Sequence, residues 1–349
     1  MYGIRGIPNK LIASYRDNRK MFVNCNNYSS STLSLQEYGV PQGSILGPLL
    51  FLIYVNDMPS TIRHCKSILF ADDTTLHITE NNLENALDNI NEDLLNLTHW
   101  CNENSLKINA SKTNFMIFNS KSKSLPNKCQ AKLRLMGEHI SHVDMTKFLG
   151  IYIDTNLQWK THTHHVKQKI SSGLYALNRL KHTLPSRTLK SLYFSLIHSY
   201  LDYGCILWGN SFSKFLKPIQ IQQNKAVRAI ENLRYNESVA NSLQKLGILN
   251  LAKIHTLHTN TYMHKLNLKQ LPTNLKKTFE PYTAPTHNYN TRGSNRNLYL
   301  NPIIHSDVGQ RSIIVNGPKY YRSLPTDLKS HNNICHFKSD LKAYLLSSN

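Results

Sequence analysis

Acidic residues are scarce in this 349-residue chain: 21 Asp and Glu stand against 41 Lys and Arg, a formal net charge of +20 and a pI near 9.6. That shortage points to a polyanionic partner, with a merely soluble basic surface as the alternative. Cysteine is also sparse. Cys25, Cys65, Cys101, Cys129, Cys205 and Cys335 show no CxxC spacing, which argues against a zinc knuckle or a disulfide framework. Reduced thiols are the expectation, as in an intracellular protein of nucleus or cytoplasm. Long hydrophobic runs are lacking. The longest, Ile45 to Val55, is too short for a membrane span and is interrupted by Gly47-Pro48. Met1-Tyr2-Gly3-Ile4-Arg5-Gly6 has no apolar core of the kind a signal peptide needs. No internal repeat is visible. What remains, with 40% hydrophobic residues, is enough to bury a sizeable core in two or three domains.

The charge is unevenly spread. Residues 1–154 carry 15 Lys/Arg against 14 Asp/Glu, a net of +1; residues 155–349 carry 26 against 7, a net of +19. The more acidic first part holds the candidate metal site described next, and the basic second part can grip phosphates.

The first part centres on Ser67-Ile68-Leu69-Phe70-Ala71-Asp72-Asp73-Thr74-Thr75-Leu76-His77-Ile78. Two β-rich runs flank a pair of carboxylates, which reads as a hairpin with Ala71, Asp72 and Asp73 at its tight turn. Adjacent anions at an exposed tip repel and gain from a divalent cation; hard oxygen ligands suit Mg²⁺ or Mn²⁺. An ordinary polar turn is the alternative reading of such a pair. Upstream stands Tyr38-Gly39-Val40-Pro41-Gln42-Gly43-Ser44-Ile45-Leu46-Gly47-Pro48-Leu49-Leu50-Phe51, a loop punctuated by Gly and Pro that feeds an apolar helix from Leu49 to Val55. Small residues there let a polymer or base pair approach the backbone closely.

The block GVPQGSILGPLLF followed by FADD resembles motifs B and C of reverse transcriptases, especially those of LINE-type (non-LTR) retrotransposons. Both its order and its spacing agree. The resemblance implies an α+β fold: a partial right-hand polymerase palm, an antiparallel sheet with helices, followed by an all-α thumb and a mixed C-terminal region. The corresponding boundaries are 1–155 for the palm segment, 156–235 for the thumb and 236–349 for the basic C-terminal region.

Taken in order, residues 9–19 read as a helix, Lys20 to Asn24 and Leu33 to Tyr38 as strands, and Asn82 to Asn104 as an amphipathic helix. In that helix Leu83, Leu87, Ile90, Leu94 and Leu97 face inward, with Glu84, Asp88, Glu92 and Asp93 on other faces. Ser105 to Asn109 and Asn114 to Phe118 look like strands around Ala110-Ser111-Lys112-Thr113, which resembles motif D. Lys121 to Lys132 reads as a polar connection. Phe148 to Asp154 reads as one strand and resembles motif E, the primer grip. Helices follow over His162 to His182, Ser186 to Tyr200 and about Pro218 to Asn232, the last with Lys225 and Arg228 outward. Cations on such helices can track a duplex backbone without reading bases. Two more helical patterns fill 236–271, a loop-like stretch runs from Pro272 to Gly293, and a last helix spans His336 to Leu346. Tyr320 and Tyr321, beside Lys319 and Arg322, suit either base stacking or a small core. The His162, His164, His165 cluster has no Cys or acidic partner nearby, which argues against a metal there.

In the family's scheme Asp72 would be the bridging metal ligand and Asp73 an auxiliary one. Phe70 would sit near the primer end or template, and Gln42 and Gly43 would line the pocket around the incoming nucleotide. Lys112 would protonate or steady the pyrophosphate leaving group; on its own it is an ordinary loop lysine. The implied cofactor is Mg²⁺, with Mn²⁺ possible, and the implied partners are an RNA template, a DNA primer and a dNTP, with no membrane. The family also places an Asp on a strand, motif A, just upstream; here Met1 arrives after it. Asp17, Asp57 and Asp154 lie in no apolar strand ahead of the Gly-rich block. The expectation is an N-terminally truncated RNA-directed DNA polymerase, inactive or nearly so alone. A non-enzymatic nucleic-acid-binding remnant is the alternative, and a gene-model error a third. Burial of Asp72 and Asp73 would count against the polymerase reading.

Overall fold

In a computed structural model, the structure describes residues 3–17, 20–26, 28–30, 34–35, 39–40, 42–118, 133–279 and 303–348. The chain forms two compact units: Met1–Phe115 with Ser124–Val143, and Met116–Lys123 with Asp144–Asn349. Helices and small sheets make a mixed α+β fold. Among the described residues no sheet is wider than two strands, and no helix is long and apolar enough to cross a membrane.

The first unit opens with α1 (Gly6–Arg16), three residues earlier than the sequence suggests, with Pro8 in its first turn. Strands β1 (Lys20–Met21), β2 (Asn24–Cys25), β3 (Tyr28–Ser29) and β4 (Ser34–Leu35) pair as β1–β4 and β2–β3. Next come α2 (Leu46–Val55), a 3₁₀ turn (Met58–Thr61), β5 (Lys66–Phe70) and β6 (Asp73–His77). Helix α3 (Leu83–Glu103) has the bounds its periodicity implies: the Asn82 side chain accepts the Glu84 amide and starts it, and Asn104 ends it.

Leu97, Trp100 and Cys101 of α3 share a cluster with Val55, Met58 and the partly buried Phe51 and Leu69. Leu87 and Leu94 share a second with Leu133, Leu135, Ile140 and the partly buried Leu76. Each fully buried leucine contributes about 1.5–3 kcal/mol, so α3 is the element that holds the first unit together.

The stretch Ser105 to Asn109 is not a strand. Ser105 turns the chain at φ +52 and the Leu106 amide bonds back to the Cys101 carbonyl. Leu106 and Ile108 then pack into the clusters, and a 3₁₀ turn (Ala110–Lys112) follows. Strand β7 is only Asn114–Phe115, and β8 (Arg134–Leu135), β9 (Glu138–His139) and β10 (Ser141–His142) complete the unit, with β10 parallel to β7. The polar connection expected at Lys121 to Lys132 lies outside the described residues.

The second unit begins with a hairpin where one strand was expected. Met145–Phe148 (β11) pairs with Ile151–Asp154 (β12) across Leu149-Gly150. Both turn residues have positive φ, +45 and +82, which brings the strands back on themselves. The Tyr203 hydroxyl donates to the Leu149 carbonyl and holds this turn. Helix α4 (Lys160–Leu180) buries Val166, Ile170, Leu174 and Leu177.

The expected helix from Ser186 to Tyr200 is interrupted: α5 (Ser186–Tyr193) passes through a π turn (Phe194–His198) into α6 (Ser199–Asp202). Helices α7 (Cys205–Trp208), α8 (Ser213–Glu231), α9 (Ala240–Leu246) and α10 (Leu251–Asn267) follow, then α11 (Thr273–Lys277), α12 (Asp307–Gln310), α13 (Ile313–Arg322), α14 (Thr326–Lys329) and α15 (Ile334–Ser347). One core runs from Val166 to Leu345, so the helices up to Glu231 and the segment after them share the same interior. Most of the loop-like stretch before Gly293 lies outside the described residues.

Some buried polar groups in this core are paired across the sequence. Gln223 donates to the Tyr193 hydroxyl and to the Leu249 carbonyl, at 2.9 and 2.8 Å. His264 bonds the Tyr321 hydroxyl and stacks flat on Phe337. Tyr321 is therefore a core residue, and half-buried Tyr320 stands edge-on to His255.

Candidate functional site

Strands β5 and β6 pair antiparallel with Phe70 opposite Asp73. The turn is thus Ala71-Asp72, and Asp73 is the first residue of β6 rather than part of the turn. Ala71 takes φ +51, as tight two-residue turns require. Side chains alternate along β5: Leu69 packs inward, while Ile68 and Phe70 are 48% and 59% exposed. Directly opposed residues share a face, so Asp73 lies on the open face with Phe70. Asp72 and Asp73 are both exposed.

Gln42 and Gly43 are exposed in the loop before α2. Gly43 has φ +81 and open space where a Cβ would stand, so its backbone conformation, not crowding, calls for glycine. The Ser44 hydroxyl accepts the Gly47 amide and the Tyr15 hydroxyl, tying α1 to the start of α2. Phe51 and Val55 of α2 then share the cluster of Leu69 on β5. Lys112 is exposed on its 3₁₀ turn, where Asn109 Oδ1 accepts the Lys112 amide. Ala110 of the same turn packs in the cluster of Leu76 on β6. Both flanking segments are thus built onto the two strands of the hairpin through shared clusters.

One residue of this arrangement escaped sequence reasoning. Asp93, expected on an outer face of α3, is fully buried. Its carboxylate accepts the amides of Arg63, His64 and Cys65 at 2.8, 3.0 and 2.7 Å. Burial alone would raise its pKa; the amides outweigh burial and hold it below the usual carboxylate value. Burial and the neighbouring Asp93 push the Cys65 thiol up to about 12. The available signal was its place among the inward positions, between Ile90 and Leu94 and four residues before Leu97.

Asp72 and Asp73 present hard oxygen donors of the kind Mg²⁺ takes. Among the described residues no group of three or more His, Cys, Asp or Glu is placed to hold a metal, so the pair fits such an ion as a partial ligand set. Of the other aspartates, Asp154 is engaged: it accepts the amides of Gln158 and Trp159. His162 is buried with its Nδ1 3.4 Å from the Tyr152 amide and its ring edge-on to Trp208.

The family model for reverse transcriptase (RNA-dependent DNA polymerase) matches residues 5–153, from α1 to the last hairpin strand. The chain is 29% identical over 267 residues to a probable RNA-directed DNA polymerase from transposon BS of Drosophila melanogaster, covering 73% of this chain and 29% of that protein. It is 26% identical over 268 residues to the RNA-directed DNA polymerase from mobile element jockey of the same fly, covering 74% and 29%. Residues 5–153 match the reverse transcriptase family, and the chain is similar to the polymerases of LINE-type elements.

A further relative is the Retrovirus-related Pol polyprotein from type-1 retrotransposable element R1 of Bradysia coprophila, 27% identical over 176 residues, covering 49% of this chain and 17% of that one. The chain spans about three-tenths of the length of the first two relatives. No solved structure matches it.

Proposed function

We propose that this chain is part of an RNA-directed DNA polymerase, with a palm segment over residues 1–155, a duplex-tracking helical thumb over 156–235 and a basic C-terminal region after it. The observation that carries the reading is the exposed Asp72-Asp73 pair inside the segment matched by the reverse transcriptase family. Its substrates are a DNA primer on an RNA template and a dNTP. Mg²⁺ held by Asp72 and Asp73 would supply the charge that two-metal nucleotidyl transfer needs at the primer 3′-oxygen and the triphosphate. Asp72 is the principal ligand this chain supplies and Asp73 the auxiliary one. Phe70, on the same face as Asp73, flanks the primer end or template. Gln42 and Gly43 line the nucleotide pocket, and the Lys112 ammonium steadies charge on the departing pyrophosphate.

By itself the chain supplies these carboxylates from one hairpin only, so extension of oligo(dT) on poly(A) with Mg²⁺ or Mn²⁺ should stay at the level of a protein-free control. Robust extension would show that Asp72 and Asp73 suffice. Mn²⁺ binding that disappears in the D72N/D73N double variant is expected; equal binding by both proteins would overturn the site.

A second reading, a nucleic-acid-binding remnant without catalysis, draws on the single basic helical unit with its core from Val166 to Leu345. It predicts salt-steep, sequence-indifferent binding that survives D72N/D73N.

A further inference from the structure

The β5–β6 hairpin has little to hold it. A lone two-stranded ribbon is marginal in water, and among the described residues no third strand pairs with either strand. Its apolar anchors, Leu69 and Leu76, are only partly buried and sit in different clusters. They keep the ribbon on α3 without fixing the backbone from which it starts. That backbone is Arg63-His64-Cys65, immediately before Lys66 opens β5.

Three successive amides of this segment converge on the Asp93 carboxylate, 28 to 30 residues away in sequence. Consecutive N–H groups around one anion form a defined concavity. Oδ1 takes one amide and Oδ2 two, so an amide side chain, which has only one acceptor oxygen, cannot reproduce the set. Glu92 meets the same segment from outside, 3.6 Å from Arg63 Nη1 and 3.1 Å from His64 Nε2. Those contacts are exposed and weak by comparison.

We propose that Asp93 is a positioning residue for the Asp72-Asp73 pair: it locks the Arg63–Cys65 backbone and so sets where the two carboxylates stand. The proposal rests on reading that pair as the metal-holding site. Its action is geometric. At about 3.3 Å per residue the turn lies roughly 20 Å along the strand from Cys65, too far for contact, and the carboxylates there stand in water, whose high dielectric weakens any direct charge effect of Asp93.

The test uses the full 349-residue chain. In the unmodified protein without metal, the amides of Arg63, His64 and Cys65 should exchange with solvent as slowly as interior amides of α3; exchange at free-loop rates overturns the proposal without any variant. In D93N, amide exchange across Lys66–His77 should quicken at least tenfold while Leu94–Cys101 changes less than twofold. The Mn²⁺ dissociation constant should rise several-fold in parallel, and E92Q should change neither. Uniform quickening across the first unit, or none, reduces Asp93 to a general stability role and overturns the proposal. Selective loosening with unchanged Mn²⁺ affinity also overturns it. Absence of any Mn²⁺ signal dependent on Asp72 and Asp73 in the wild-type chain is a different failure, that of the polymerase reading itself.

Discussion

His162 stands edge-on to Trp208 with ring centroids 5.4 Å apart, deep in the core of the second unit. Burial pushes its pKa down to about 4, helped by neighbouring His165, and burial does the same to His255. Both are proton-free in the folded chain, while an unfolded histidine begins to protonate near pH 6.5. The unfolded state therefore binds more protons as pH falls. The stability these two residues contribute is complete above pH 6.5 and is lost between pH 6.5 and 4. At pH 5 each costs roughly 2 kcal/mol. Melting of the second unit, followed by circular dichroism, should drop between pH 7 and 5, and H162Q/H255Q should flatten that dependence.

The exposed hairpin tip behaves differently. D72N/D73N removes two like charges from solvent and no packing, so the stability of the first unit should stay within about 0.5 kcal/mol of wild type. Mn²⁺ binding is the property expected to vanish. A parallel loss of melting temperature would show that the carboxylates serve the fold.

Gly173 lies within α4, where alanine is ordinarily favoured by about 1 kcal/mol. A Cβ there would stand 2.8 Å from the Leu196 carbonyl oxygen and 2.9 Å from Ile197 Cγ1, in the π turn that packs against it. A backbone oxygen cannot step aside as a side chain does. Overpacking of this kind costs about 1–3 kcal/mol or more, so G173A should lower the melting temperature of the second unit by several degrees despite the better helix former.

Lys160, Lys169 and Arg179 are exposed on α4. Replacing all three with alanine should leave melting nearly unchanged and weaken binding to a DNA–RNA duplex regardless of sequence. The slope of log affinity against log salt should fall by about 0.9 for each phosphate contact removed. An unchanged slope would place the nucleic acid elsewhere.

The sequence by itself determined the features whose cause is local. The hairpin from Lys66 to His77 follows from two β-rich runs around a turn, and α3 follows from a helical apolar period bounded by two asparagines. The likeness to reverse transcriptases over residues 5–153 follows from a long ordered block of residues. The hairpin at Met145–Asp154 was half legible: its second strand is apolar, while the positive φ at Leu149 is a choice no leucine announces.

Only the tertiary structure decided which polar side chains turn inward. Asp93 looked like a solvated helix residue and is buried on three amides. Arg228 looked free for phosphates and donates instead to the Glu237 carbonyl from Nε and Nη2. Tyr321 closes on His264, 57 residues away. Burying a polar group costs least where a partner meets it, and partners supplied by distant segments leave no period in the local sequence.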